Sequence, residues 1–430
     1  MRASGKLIHY GRGGALALTC CAGLAVAACG SSSSPATSSS SSGSNTVPNV
    51  NVATSFTSDI NASMAPFKQL TLFATKGENS LQVGVILPDT TSSTRYVNFD
   101  APYLNAAFAD AGYTQAQYRI DNAQGSDQTE LDDATADINL GAKILIADPL
   151  DGPTGVAIAQ MAASKNVTLI AYDRAIFSGH DYYVSFDNEK VGELIGGGLQ
   201  TCITAWNISN PKVFTLDGGE DTDPNAISFA EGYNKIVWGQ AEKQVPAGTT
   251  GTGQSQGYTL VGEQYAPGWD NTKGGQIFQQ EFTANKQINA TMEANDGLAN
   301  AVITDLKGDG VKAKTIPTTG QDATAQGMAY ILENWQCGSV YKAIYKEAGD
   351  AVALATILLA GDKPPSSLVN GTTTDPADSS ITEPASLSTP VWVTASNMES
   401  TVVADGFDTA SAICAIAGAS VCAANNPPIK

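Results

Sequence analysis

Short apolar runs alternate with helix-like segments through the first half of the chain, beginning near residue 81. The apolar runs lie at 81–87, 116–120, 143–147 and 167–172, and helical patterns lie between them at 99–111, 128–140 and 155–165. Strand and helix in regular alternation are typical of parallel βαβ units, in which helices cover both faces of one sheet. The pattern therefore predicts a doubly wound α/β lobe.

The same alternation starts again after residue 190, which predicts a second lobe of the same kind. Helical patterns lie at 190–205 and 226–238, strand-like runs at 212–216, 258–264 and 314–318, and the segment 299–303 fits either a strand or a helix. A Gly-rich loop insertion is expected at 248–257 and an irregular Pro/Thr/Asp-rich stretch at 364–385. The fold class is therefore α/β, with two doubly wound parallel-sheet lobes.

The first residues have the pattern of an export signal. Basic residues lead into an apolar run, 15–28, that is too short for a comfortable membrane span. The run ends in Val26-Ala27-Ala28-Cys29, which resembles a lipoprotein signal with Cys29 as the lipidated residue, and ordinary secretory cleavage is the alternative. A Ser-rich tether and a weakly patterned segment follow within 29–80. We therefore expect an extracytoplasmic protein that meets the membrane only through its lipid anchor.

Charge and histidine content exclude several function classes. The chain has 23 basic and 42 acidic residues, and removal of residues 1–28 takes away three basic residues and no acidic one, which leaves a net charge of −22. Such a surface repels nucleic acid. The histidines are His9, which leaves with the signal, and His180 in a turn, where an exposed loop histidine is the commoner case. No catalytic triad, metal or cofactor is expected.

Besides Cys29, four cysteines remain in the exported body, and an even number in an oxidising compartment indicates disulfides. They are Cys202, Cys337, Cys414 and Cys422. Three pairings are possible, and the short spacing of the last two allows them to close a small C-terminal loop. Metal binding is the alternative, but no C-x-x-C spacing and no companion histidine supports it.

An adjacent acid and base, Asp173 and Arg174, follow the apolar run 167–172. Ligands of open α/β sheets bind beyond the carboxyl ends of the parallel strands, so this pair is expected to face a crevice. A carboxylate and a guanidinium together accept from and donate to the hydroxyls of a small polyol. The competing interpretation is an ordinary surface ion pair.

Several separated motifs resemble the D-xylose-binding proteins of bacterial ABC importers, within the wider family of two-lobed periplasmic sugar-binding proteins. The motifs are Ala171-Tyr172-Asp173-Arg174, Tyr183 to Leu194, Gly320-Gln321-Asp322-Ala323, Ser339-Val340-Tyr341-Lys342, and the tail from Thr389 to Phe407. The resemblance covers most of 81–407. It implies a type I periplasmic binding protein, whose two lobes are joined by a three-strand hinge.

The resemblance also implies which residues line the sugar cleft. They are Arg95, Tyr96, Asp173, Arg174, Asn225, Trp269, Asn295, Asp322 and Lys342. Planar Asp, Asn and Arg groups make paired hydrogen bonds to sugar hydroxyls, and aromatic faces cover the C–H face of a pyranose. The chain departs from the family at Pro224, where Asn is expected, and at Tyr96, where Trp is expected, which leaves the exact sugar open.

Structural alternatives exist for some of these residues. Trp269 fits ordinary loop packing, Asn295 fits a turn, and Lys342 fits a solvated strand end. Asp187 and Asn188 fit a helix N-cap or a hinge better than a ligand contact.

The implied architecture places the first lobe at 81–187 with 343–390 and the second at 188–342 with 391–430. The chain then crosses between lobes near Asp187, Lys342 and Pro390. In this arrangement Cys202 and Cys337 both lie on the side of the second lobe away from the sugar, so the expected disulfides are Cys202–Cys337 and Cys414–Cys422.

The leading functional hypothesis is a monomeric, non-enzymatic receptor that captures a monosaccharide for an ABC permease and ATPase. D-Xylose or a related aldose is the expected ligand. A sugar-sensing subunit that presents its ligand to a membrane receptor is one alternative, and a glycosidase using Asp173 and Asp322 is another. A glycosidase needs one carboxyl kept protonated, whereas Arg174 beside Asp173 favours the ionised form.

Overall fold

The apolar runs of the first half lie in one seven-stranded sheet in the computed structural model, which describes residues 65–72, 78–90, 95–177, 182–375, 378 and 380–430. The strands of this sheet are β1 (Val83–Leu87), β2 (Tyr118–Asn122), β3 (Ile144–Ala147), β4 (Thr168–Tyr172), β5 (Tyr182–Phe186), β10 (Gly371–Thr374) and β11 (Thr382–Ser388). Their order is β10-β11-β5-β4-β3-β1-β2, and every neighbouring pair is parallel except β10 and β11. This sheet defines the N-terminal lobe.

The remaining strands build the C-terminal lobe and the connection to it. They are β6 (Lys212–Gly218), β7 (Thr259–Ala266) and β8 (Ala290–Glu293), which form a parallel sheet in the order β7-β6-β8, and β9 (Ser339–Tyr341) and β12 (Val391–Val393), which pair antiparallel. Both large sheets have the parallel neighbours that the alternating pattern predicts.

Helices follow most strands. They are α1 (Ala101–Asp110), α2 (Asp127–Leu140), α3 (Gly152–Ser164), α4 (Asn188–Ala205), α5 (Pro224–Trp238), α6 (Asn271–Ala284), α7 (Asp296–Gly308), α8 (Ala325–Leu332), α9 (Ile344–Leu359), α10 (Ala410–Ala417) and α11 (Ala419–Ala424). Side chains cap the N-termini of eight of them: Ser126, Asp151, Asp187, Asp223, Asp270, Asn295, Thr324 and Thr409. Each accepts a bond from a first-turn N–H group, which fixes where the helix begins.

The core of the N-terminal lobe lies on both faces of its sheet, as a parallel sheet requires. Strands β1 and β3 are buried along their whole length. Helix α9 is buried on nearly all sides. Among the described residues, no helix is both long and apolar enough to cross a membrane.

Three local predictions differ from the structure, and one segment left open is resolved. The run 314–318 is not a strand, because Pro317 has no N–H to donate, and Thr318 alone forms a bridge, with Gln336. The stretch 364–385 is not irregular throughout, since its β-branched threonines form β10 and its end forms β11. The ambiguous segment 299–303 lies inside α7, and the strand expected at 116–120 is β2, two residues later.

Both expected disulfides are present, Cys202–Cys337 and Cys414–Cys422. The second closes the turn between α10 and α11, near the end of the chain. The tail after β12 also contacts the N-terminal lobe, because the ring of Phe407 stacks on Phe99 with 4.2 Å between ring centroids. The exact lobe boundaries stay a prediction. Cys29, His9 and His180 lie outside the described residues.

Candidate functional site

Strand β4 delivers Asp173 to the carboxyl edge of the first sheet. The residue adopts a positive φ of 57°, and its backbone is held by three hydrogen bonds. Its N–H donates to Val184, and its carbonyl accepts from the hydroxyls of Tyr183 (2.7 Å) and Ser185 (2.9 Å). Because β5 supplies all three partners, the β4–β5 pairing sets the direction of the Asp173 carboxylate.

Arg95 is surrounded by three buried carboxyl groups. Its guanidinium makes a paired contact with Asp100 (2.8 and 2.9 Å) and single contacts with Asp173 and Glu347, both at 2.7 Å. Burial raises the pKa of Glu347 to about 8. Burial also disfavours the charged form of Asp173, but Arg95, Lys342 and Arg174 outweigh that effect and lower its pKa. Asp173 is therefore an ionised acceptor.

Tyr96 and Arg174 lie beside this carboxylate. The Tyr96 hydroxyl donates to Asp173 at 3.2 Å, and the Tyr96 ring lies 5.4 Å from the Arg95 guanidinium and 5.8 Å from that of Arg174. Arg174 donates to the carbonyl of Pro149 at 3.1 Å. The aromatic ring thus lies within cation–π distance of two fixed cations, which is a favourable position for its π face.

Asp223 organises the facing side of the C-terminal lobe. One of its oxygens caps α5 by accepting from the N–H groups of Asn225 (2.9 Å) and Ala226 (3.1 Å). The other oxygen accepts from the indole N–H of Trp269 at 2.8 Å and lies 3.3 Å from the Nε of Arg174. A single carboxylate therefore begins the helix, orients the indole and pairs with an arginine of the other lobe.

The Trp269 ring lies directly over the end of β6. A Cβ at Gly218 would overlap this ring, so the strand end accommodates the indole only because glycine stands there. Phe229 meets the same ring edge to face, with centroids 6.2 Å apart. Trp269 thus has a fixed place in the site, with its N–H directed at Asp223.

The last part of the site follows β8 and precedes β9. Asn295 caps α7 by accepting from the N–H of Leu298 at 2.9 Å. Asp322 has φ 92° and donates its N–H to Val340. Lys342 Nζ lies 3.6 Å from Asp173 and 4.0 Å from Asp322. The Oδ1 atom of Asp322 is buried without a hydrogen-bond partner, so it is available to a ligand.

All nine residues expected at the sugar cleft line one small cavity, together with Phe229 and Gln321. The solvated position considered for Lys342 is wrong, because its side chain is 2% exposed. Likewise, Asp173 and Arg174 are buried and are not a surface ion pair. Asn295 caps α7 instead of forming the turn considered for it, and it also lines the cavity. Asp187 caps α4, as expected.

Polar contacts across the cavity tie the two lobes together. Arg174 pairs with Asp223, and Lys342 approaches Asp173. In addition, the Asn188 side chain donates to Asn225 at 2.8 Å and to the Tyr183 hydroxyl at 3.0 Å. These buried contacts join residues of both sheets directly around the space that a ligand would occupy.

Sequence reasoning missed several residues around the cavity. Asp223 carries a signal, since an acid followed by Pro224 is a typical helix start. Gln321 lies in the motif Gly320-Gln321-Asp322-Ala323, next to Asp322, which was predicted to line the cleft. Phe229 and Glu347 carry no such signal, because they lie on helices whose apolar or buried faces also serve packing.

The lobe architecture and the polar cavity define a class of solute-binding receptors, and comparison with known proteins agrees. Residues 83–363 match the model of the periplasmic binding protein domain, which is more than half of the chain. The chain belongs to this family and has the type I periplasmic binding protein fold. It is a solute receptor and not an enzyme.

Individual relatives share most of their length with this chain. It is 30% identical to the D-xylose-binding periplasmic protein of Escherichia coli over 299 residues, which are 68% of this chain and 82% of that protein. It is 28% identical to the multiple sugar-binding periplasmic protein SbpA of Azospirillum brasilense over 345 residues, which are 78% of this chain and 92% of that protein.

A solved structure has the same fold. It is the solute-binding protein of a carbohydrate transporter from Chloroflexus aurantiacus, in complex with D-glucose. The TM-score is 0.65 at 25% identity, and the match covers 77% of this chain and 98% of that one.

Proposed function

We propose that this protein captures a monosaccharide between its two lobes and delivers it to an ABC importer, with D-xylose or a related aldose as the ligand. The observation that carries the proposal is the small cavity into which nine chosen residues, all of them buried, converge from both lobes. A bound sugar would therefore contact both lobes at once and shift the population toward the closed form.

The chemistry of the cavity fits a neutral polyol. Asp173 supplies an ionised acceptor, Asp322 an unpartnered acceptor, and Asn225 an amide. Sugar hydroxyls both donate and accept, so they satisfy such mixed groups together. Tyr96 and Trp269 add apolar faces for the C–H side of a pyranose. The names of the relatives, which include D-xylose and multiple sugars, support the same ligand class.

The proposal extends to the location of the protein. Cys29 would carry the lipid, and residues 29–80 would hold the receptor away from the membrane as a monomer. The two disulfides support an oxidising compartment outside the cytoplasm. Mass spectrometry of the exported protein tests the anchor: a diacyl- or triacyl-modified Cys29 is expected, and an unmodified N-terminus elsewhere contradicts it.

Calorimetry with a panel of pentoses and hexoses tests the binding claim. The variant is Asp322→Asn, because Asn tolerates the positive φ at this position while the charge is lost. A hydrogen bond to a charged group contributes about 1.5–3 kcal/mol, which is roughly a tenfold to hundredfold loss of affinity. The matched control is Asp221→Asn, whose side chain is 62% exposed. Equal affinity in Asp322→Asn and the control would contradict the proposed site.

A further inference from the structure

A second and larger cavity, with a volume of about 690 Å³, lies between α6 and α7 of the C-terminal lobe. Asn295 and Asp322 line both this groove and the small cavity described above. The groove and the proposed monosaccharide site therefore share part of their lining. Along α7 it reaches from Gly297 to Asp305, and eight residues of helix rise by about 12 Å. That length exceeds a single sugar ring.

The lining of the groove is rich in carboxamides. They are Asn271, Gln276, Gln279, Asn295, Asn300 and Gln326. Three threonines add hydroxyl groups, and the charged residues of the lining are the acids Asp305 and Asp322. An anionic ligand would meet like charge here, and an apolar ligand would leave the amides unpaired. A neutral ligand with many hydroxyl groups satisfies them.

Three buried oxygens of the lining have no hydrogen-bond partner. They are Oδ1 of Asn271, of Asn300 and of Asp322, and the Asp322 residue is 6% exposed. Buried acceptors in folded proteins are nearly always paired, so these three oxygens are unfilled acceptors in this structure. Their accessible area is near zero, so the side chains must rotate before a ligand in the groove can donate an O–H or N–H group to them.

The two helices that border the groove pack closely at glycine positions. A Cβ at Gly275 would come within 3.3 Å of Ala301 on the facing helix, and a Cβ at Gly297 would collide with the Asn271 amide. Small residues therefore bring the helices together, and the longer amide side chains form the walls.

We propose that this groove is a second carbohydrate subsite, so that the protein takes a disaccharide or short oligosaccharide whose terminal unit occupies the small cavity. This inference rests on the proposed function, because it needs a sugar in that cavity. The first unit would contact Asp322 from one side, and the next unit would contact Asn300 and Gln279 in the groove.

Calorimetry with two matched pairs of sugars tests the inference: D-xylose with β-1,4-xylobiose, and D-glucose with cellobiose. The variant Asn300→Leu keeps the side-chain size and removes its polar atoms. Gln279→Ala has a matched control in Gln280→Ala, an exposed neighbour outside the groove. One lost hydrogen bond of about 1 kcal/mol weakens binding roughly fivefold.

We expect each groove variant to weaken disaccharide binding about fivefold and to leave the monosaccharide affinity unchanged. The control Gln280→Ala should change neither affinity. Binding of a monosaccharide without its disaccharide would overturn the subsite and leave the proposed function intact. Disaccharide binding that both groove variants leave unaltered would also overturn it. Failure of all four sugars to bind would reject the proposed function itself.

Discussion

Replacement of Asp223 by Ala removes four interactions that meet at one buried carboxylate. The lost interactions are the hydrogen bonds from the N–H groups of Asn225 and Ala226 and from the Trp269 indole, and the ion pair with Arg174 of the other lobe. The replacement therefore acts on a helix start, on the aromatic wall of the cavity and on the contact between lobes.

The cost can be added up from these contacts. Loss of an N-cap costs about 1 kcal/mol, and a buried indole N–H left unpaired costs about 1–3 kcal/mol. Breaking a buried ion pair costs about 3–5 kcal/mol, but Arg174 keeps Pro149 (3.1 Å) and Asp148 (3.6 Å) as partners, so a smaller share applies. The expected loss for Asp223→Ala is therefore about 4 kcal/mol. Asp223→Asn keeps the cap and an acceptor and should lose about half as much.

Urea denaturation followed by circular dichroism measures these free energies of unfolding. Asp270→Ala is the matched control, because Asp270 caps α6 through the same two kinds of N–H contact and is 41% exposed. It should lose only about 1 kcal/mol. If Asp223→Ala costs no more than Asp270→Ala, the reasoning about the interlobe carboxylate is refuted.

Three further predictions concern stability. Gly192→Ala should destabilise the protein, since a Cβ there would collide with the carbonyl of the facing helix α5, whereas Gly197→Ala meets no atom within 4 Å and should stabilise by about 0.5–1 kcal/mol in thermal melts. Burial raises the pKa of Glu293 to about 8, so the folded protein keeps a proton on this carboxyl that the unfolded chain releases near pH 4.5. The free energy of unfolding should therefore fall as pH rises between these two values, and it should fall less in Glu293→Gln. Urea titration at each pH measures both. Replacing Cys202 and Cys337 by Ser opens a link between residues 135 apart and should lower stability by about 4–5 kcal/mol, and an unchanged denaturation midpoint would contradict this.

The fold could be predicted because periodicity alone distinguishes buried parallel strands from amphipathic helices. The runs before Asp173 form β1, β3 and β4 within one or two residues of the expected bounds. The hairpin of β10 and β11 could not be predicted, because its residues are polar threonines and a Pro-rich stretch. They become a strand pair only because β11 pairs with the edge of the sheet at β5. Tertiary pairing decided that element.

The site residues were predictable for a different reason. Asp173 and Asp322 lie in local motifs that carry the family resemblance, and the structure brings them to one cavity. Glu347 contributes a carboxyl group to the same network from α9, where an acid among apolar residues gives no local signal. The groove between α6 and α7 also depends on which helix faces meet, and single-sequence patterns do not contain that.

A crystal structure of the protein grown with D-xylose tests the central claim most directly. The account predicts one sugar ring in the cavity between the lobes, with hydroxyl groups within hydrogen-bond distance of Asp173 from the N-terminal lobe and of Asp322 from the C-terminal lobe. A sugar bound to one lobe alone, or at a place lined by neither carboxylate, would contradict it.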